Sequence, residues 1–264
     1  MQLFKYMPIV TPSNAGSTKA KIDNKMRLAS IANNNFWFAK PENLNDPFDC
    51  KPEFREPKGF RETEKIIQEL SSDEIDYLAT QLPGTKTKSD VIKRYKLLYD
   101  NGSISIPLLH SFTKRLVQVR MSNMGVLSLS ETNSNCLMWT HYAKNHSGIC
   151  VEYYIPENTR GLDKVRYRQR QPVLSINQAF SEKSGKLLEM LYTKSIHWKY
   201  EKEWRIARLE GNKLYSVMNA RTLNIYFGIN VSSATKKFVK RELGNNFNYI
   251  EMRLDRNFGI KEKN

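Results

Sequence analysis

Strand-type alternation on either side of a helical block constrains this chain more than any other feature. In "GICVEYYI", Ile149, Val151, Tyr153 and Ile155 recur at every second position and so share one face of an extended segment. Read as a strand, "WKYEKEWRI" (residues 198–206) sets Trp198, Tyr200, Lys202, Trp204 and Ile206 on one face and Glu201, Glu203 and Arg205 on the other. Residues 58–122 change period. "TEKIIQELSSDEIDYLATQL", "KSDVIKRYKLLYD" and "LLHSFTKRLVQVR" carry helical spacing, interrupted by Pro83, Gly84, Asn101, Gly102 and Pro107. The pattern predicts an α+β (mixed α/β) fold, one domain over residues 1–264 with a helical insertion at about 58–122.

Finer marks fill in that outline. "FWFAK" reads as a strand and "PENLNDPFD" as a turn, because Asn45 and Asp46 bond their own backbone and Pro47 fixes φ. "GVLSLSE", "LDKVRYRQRQPVL" and "TLNIYFGI" read as strands. Helices are expected near residues 134–145, over "INQAFSEKSGKLLEMLYT", and over "SSATKKFVKRELG", which has a serine to cap it and a glycine to stop it.

A net charge of +15 attracts polyanions and holds them by releasing their counterions, so nucleic acid, RNA or DNA, is the expected partner. An acidic antitoxin or regulatory protein is the other class such a surface suits. The N-terminal residues lack a basic region followed by an apolar run, and no segment approaches the ~20 apolar residues of a membrane span. The chain reads as soluble and cytoplasmic, with no membrane partner. Cys50, Cys136 and Cys150 are too few and too scattered for a disulfide framework or a paired-cysteine metal site, which fits a reducing compartment.

Several groups could carry chemistry. On the Glu201, Glu203, Arg205 face, the carboxylates either sit in solvent or line a cleft where Glu203 balances developing positive charge and Arg205 orients its neighbour. Lys164, Arg166, Arg168 and Arg170 alternate onto one strand face and could follow a phosphate backbone, or simply blunt an edge strand. Trp139 and Tyr142 are aromatic candidates for a ligand site or for packing, and His141 and His146 lie five apart, off a shared helix face. No metal site is expected from nitrogen or sulfur ligands.

Taken in order, "LFKY", "FWFAKPENLNDPFD", "VLSLSE", "LMWTHYAKNHSGICVEY", "KVRY" and "YEKEWRI" resemble a widespread bacterial family labelled only as a domain of unknown function. The similarity spans nearly the whole chain apart from the helical insertion. That family in turn resembles, distantly, the mono-ADP-ribosyltransferases. The resemblance implies central β-sheets of the transferase type with NAD bound between them. Lys5 and Tyr6 would stand where an early strand binds the nicotinamide ribose, Trp37 or Phe38 would form the nicotinamide wall, and Glu201 or Glu203 would match the catalytic glutamate. Asn45 and Asp46 would sit at the cleft mouth, bonding a ribose or positioning Arg205, and Trp139 and Tyr142 would join the NAD site.

The implied function is an NAD-consuming transferase that modifies nucleic acid, in the manner of a bacterial toxin or phage-defence effector. Glu203 is the expected catalytic residue, Glu201 the orienting or acceptor-activating one, and the strand from Lys164 to Arg170 the docking element. Two alternatives stand beside it: a metal-dependent nuclease using Asp46, Asp49 and the same glutamates, and a binding module without catalysis.

Overall fold

The structure is a computed structural model that describes residues 1–10, 18–51, 53–55, 59–104, 106–175, 185–256 and 259–263. The chain divides into two compact units, the first made of Met1–Ala39, Gly125–Tyr167 and Ile196–Asn264, the second of Lys40–Met124 and Arg168–Ser195. The helical stretch expected at about 58–122 lies in the second unit, which also reaches back to Lys40 and takes in residues 168–195.

The first unit opens with β1 (Gln2–Met7), α1 (Thr18–Ala32) and β2 (Asn35–Phe38). The chain then enters the second unit through β3 (Glu53–Arg55), α2 (Phe60–Gln68), α3 (Ser72–Gln81), α4 (Lys88–Asp100) and α5 (Ile106–Asn123). It returns with β4 (Gly125–Ser130), α6 (Cys136–Tyr142), β5 (Ile149–Tyr154) and β6 (Leu162–Lys164). β7 (Arg166–Arg168) leads out again to β8 (Val173–Ser175), α7 (Lys186–Leu191) and β9 (Thr193–Ser195). The chain ends in the first unit with β10 (Glu203–Arg208), β11 (Lys213–Ser216), β12 (Arg221–Phe227), α8 (Ser233–Leu243), β13 (Asn248–Leu254) and β14 (Ile260–Glu262).

An eight-stranded mixed sheet, ordered β14-β13-β12-β5-β1-β4-β10-β6, organises the first unit. Its strands pair antiparallel except β12 with β13, which α8 connects in parallel. Ser232 caps α8 by accepting from the Thr235 N–H at 3.1 Å, and Gly244 ends it at φ 77°, as the serine and glycine predicted. One sheet face carries Leu3, Leu127, Val151, Ile206 and Ile225 into the larger core, shared with Leu28 and Ile31 of α1 and Val239 of α8. The other face buries Tyr6, Cys150, Tyr226 and Met252 with Met138 and Trp139 of α6. A strand covered on both sides is buried along its length, and β5 is buried from Ile149 to Tyr153.

β1 pairs with β5 over six registered positions, Gln2 to Met7, but meets β4 at one, Phe4 opposite Ser130. The sheet is therefore notched between β1 and β4.

In the second unit, α3 and α4 each start with a capping box, Ser71 with Glu74 and Thr87 with Asp90. Arg120 of α5 is clamped to both oxygens of Glu74, at 2.6 Å each, and β3 pairs in parallel with β8. Of the helix expected over 176–193, the structure describes α7; residues 176–184 lie outside the described ones.

Candidate functional site

"WKYEKEWRI" is not one strand. Residues 196–201 wind into a 3₁₀ turn, Lys202 takes a left-handed φ of 46°, and β10 begins at Glu203. The left-handed residue breaks the alternation. Tyr200 consequently packs on the opposite sheet face from Trp204, and Glu201 leaves the strand altogether.

The three charged residues are nonetheless buried together in the first unit: Glu201 is 2% exposed, Glu203 3% and Arg205 0%. They do not form a solvated surface. Arg205 donates to Glu203 through Nε to Oε1 at 2.7 Å and Nη2 to Oε2 at 3.1 Å, a bidentate fork. Glu201 Oε1 accepts from the Tyr142 hydroxyl at 2.5 Å, and its carbonyl accepts from Ser130 Oγ at 2.7 Å.

Strand register extends this cluster across the sheet. Glu203 lies opposite Ser130, Ser130 opposite Phe4, Phe4 opposite Glu152, Glu152 opposite Asn224, and Asn224 opposite Asn248, all on one face. Glu152 is 4% exposed, and its Oε2 accepts from Asn224 Nδ2 at 2.5 Å and from the Tyr226 hydroxyl at 2.8 Å. That bond and burial push the Tyr226 phenol up, burial contributing more. The sequence reading missed Glu152, whose one signal was a charged residue inside an apolar strand.

Lys5 occupies the notch. Its ammonium donates to the Ser128 carbonyl at 2.9 Å. The residue keeps some exposure while the ammonium itself is buried, which lowers its pKa to about 8 against the smaller upward pull of Glu203. Lys5 also borders a cavity of about 390 Å³ with Tyr6, Trp37, Tyr153, Arg27 and Ser30. That volume lies within the roughly 300–1,000 Å³ of small-molecule pockets. Lys5 borders the cavity on the larger-core face, whereas Glu203 lies on the other face of the sheet, across the notch.

The other expected ligand-binding residues divide. Trp37 is 44% exposed and lines the cavity, but Phe38, its neighbour on the inward side of β2, is fully buried against Tyr215 and offers no ring face to a ligand. Tyr6 borders the cavity while its phenol turns to the other sheet face, donating to the Thr132 carbonyl at 2.8 Å and packing edge-on against Trp139. Trp139 is a core residue, fully buried, with its indole N–H on the Asn133 carbonyl. Tyr142 is half-buried and holds Glu201.

Asn45 and Asp46 belong to the second unit. Asp46 keeps its turn role, Oδ1 accepting from the Phe48 N–H at 2.9 Å, while Asp49 pairs with buried Lys194 at 3.6 Å. Arg205 grips the carboxylate of Glu203. Among the described residues, no group of three or more His, Cys, Asp or Glu side chains is arranged to hold a metal ion.

The basic run is not one strand face either. Lys164 ends β6, Arg166 and Arg168 belong to β7, and the unit boundary falls after Tyr167, separating Lys164 and Arg166 from Arg168 and Arg170. All four are exposed; Lys164 pairs with Glu131, Arg166 with Asp163 and Arg168 with Glu189. Among the described residues, no helix is long and apolar enough to cross a membrane.

Residues 138–206 match a family described as "Protein of unknown function (DUF2971)". The matched stretch holds His141, Tyr142, Glu152, Glu201, Glu203 and Arg205, and leaves out Lys5 and Trp37. No curated protein and no solved structure matches the chain.

Proposed function

We propose that the protein is an ADP-ribosyltransferase-like enzyme that takes NAD as substrate in the first unit and modifies nucleic acid. One observation carries this reading: the buried, clamped carboxylate of Glu203 on one sheet face and Lys5, which borders the 390 Å³ cavity on the other face, flank the notch in the sheet. The lining suits a dinucleotide chemically. Trp37 supplies aromatic surface, Arg27 and Lys5 supply positive charge for phosphates, and Ser30 and Asn35 supply groups for hydroxyls.

Breaking the nicotinamide–ribose bond builds positive charge on the sugar, and a carboxylate held ionised nearby lowers that barrier. In this reading the scissile bond enters the notch from the cavity side, Arg205 holds the Glu203 carboxylate in place on the opposite sheet face, and Glu203 stabilises the developing cation. Glu201, oriented by Tyr142, accepts the proton from the incoming nucleophile, which forms the new bond to the ribose carbon as nicotinamide departs with the old bonding pair.

The test is incubation with NAD labelled in its ADP-ribose part, RNA and DNA, in the presence of EDTA. Nicotinamide release and label on nucleic acid are expected, both falling about 100-fold or more per folded molecule in Glu203→Gln. A folded protein that releases no nicotinamide and transfers no label overturns the proposal.

A further inference from the structure

The 3₁₀ turn that interrupts the expected strand arranges rings that the proposed donor pocket does not use. Three aromatic rings surround His141 at the end of α6: Tyr142 at 6.3 Å, Trp198 at 6.3 Å and Tyr200 at 6.4 Å between centroids, with Trp198 and Tyr200 6.0 Å apart. Their planes are tilted by 34° to 69°, a cluster of faces and edges and not a closed stack. His141 is exposed and the other three rings are half-buried. The hydroxyl of one ring, Tyr142, is bonded to Glu201, and exposed Lys199 and Lys202 alternate with the rings along the turn.

From this we infer that the cluster of His141, Trp198 and Tyr200 is a docking platform for one unpaired base of a single-stranded nucleic acid. The inference rests on the proposed transferase reading only in making that base the acceptor; the docking itself needs no NAD. Three features select this occupant. Flat rings interleaved with lysines are the combination that stacks a base while its phosphates meet positive charge, and the whole chain carries +15. A duplex keeps its bases stacked inside and cannot offer one to a platform on a short turn. An acidic peptide would satisfy the lysines but gives the rings no flat face to stack on, whereas a base supplies both the face and, through its phosphate, the negative charge.

Binding of a fluorescein-labelled 12-nucleotide oligo(A) RNA, of the same length as a duplex, and of polyglutamate, without NAD and over a range of salt, tests the inference. The single strand is expected to bind more tightly than the duplex. Trp198→Ala should weaken it about tenfold or more with the salt slope unchanged, and Trp198→Phe should restore most of the affinity. Lys199→Ala should reduce the slope by about 0.7. If thermal melting shows Trp198→Ala unfolded, His141→Ala and Trp198→Phe serve in its place, with a several-fold loss expected for the first. Equal binding of duplex and single strand with no effect of the ring variants overturns the inference. So does polyglutamate that displaces the oligonucleotide and loses affinity in the same variants. Because no NAD is present, absence of nicotinamide release in the transferase assay leaves this result standing, and failure here leaves the transferase reading standing.

Discussion

Glu203 and Glu152 lie in the same transverse row on the same sheet face, three strand spacings apart, about 14 Å by ordinary sheet geometry, and both are almost fully buried. They are held in opposite ways. Glu203 faces a fully buried guanidinium that takes both its oxygens, whereas Glu152 is held by two neutral donors, a phenol and an amide. A carboxylate with a buried counter-charge is half of a pair that cannot be broken cheaply. One held by neutral donors is fixed in position, and its removal strands only hydrogen-bonding groups. Burial alone would have ranked the two alike; the partners separate them.

The comparison is broken most directly at Arg205. Arg205→Ala leaves Glu203 buried without its guanidinium and should cost about 3–5 kcal/mol in urea unfolding. A loss under about 1 kcal/mol would mean the pair contributes little to folding. Glu203→Gln removes the counter-charge from the fork, so its activity must be measured per folded molecule.

Lys5 gives the next largest effect. A lysine whose folded pKa of about 8 lies below its unfolded 10.5 binds fewer protons when folded. Stability should therefore rise between about pH 8 and 10.5, by up to about 3 kcal/mol, relative to Lys5→Met. Denaturation midpoints of the two proteins at pH 7.5, 9 and 10 check the slope. Removing the charge of Glu203 should lower the Lys5 pKa further, readable from the rate at which its amine is acylated; an unchanged rate would uncouple the notch from the carboxylate.

Glu152→Ala strands Tyr226 and Asn224 and should cost about 2 kcal/mol, while Glu152→Gln keeps an acceptor and should cost less than Glu203→Gln does. Equal losses for the two glutamine variants would erase the distinction between them. The smallest effect is expected at Ser130, between Phe4 and Glu203 in the row: Ser130→Ala loses a donor to the Glu201 carbonyl and an acceptor for the Thr132 N–H, together about 1.5 kcal/mol.

Much of this was legible in sequence where the signal is local. Period-two alternation located β5, an apolar run located β12, and a serine and a glycine located the ends of α8. "WKYEKEWRI" was misread because alternation of residue types persists through Lys202 although its backbone turns left-handed there, and no residue type marks that turn. The aromatic cluster was hidden by the same error, which set Trp198 and Tyr200 on one strand face with Trp204 and Ile206. Glu152 was invisible for another reason. Its role depends on a tyrosine and an asparagine more than 70 residues away, brought alongside by register.

The notch between β1 and β4 has a mechanical consequence. A sheet transmits shear through its ladder of hydrogen bonds, and here the ladder carries six rungs on one side of β1 and a single one on the other. The five strands from β14 to β1 and the three from β4 to β6 should therefore behave as two stiff plates joined along a soft crease. Amide hydrogens beside the crease should exchange with solvent faster than those between β1 and β5. Lys5, whose amine donates across the crease to the Ser128 carbonyl, is a tie between the two plates.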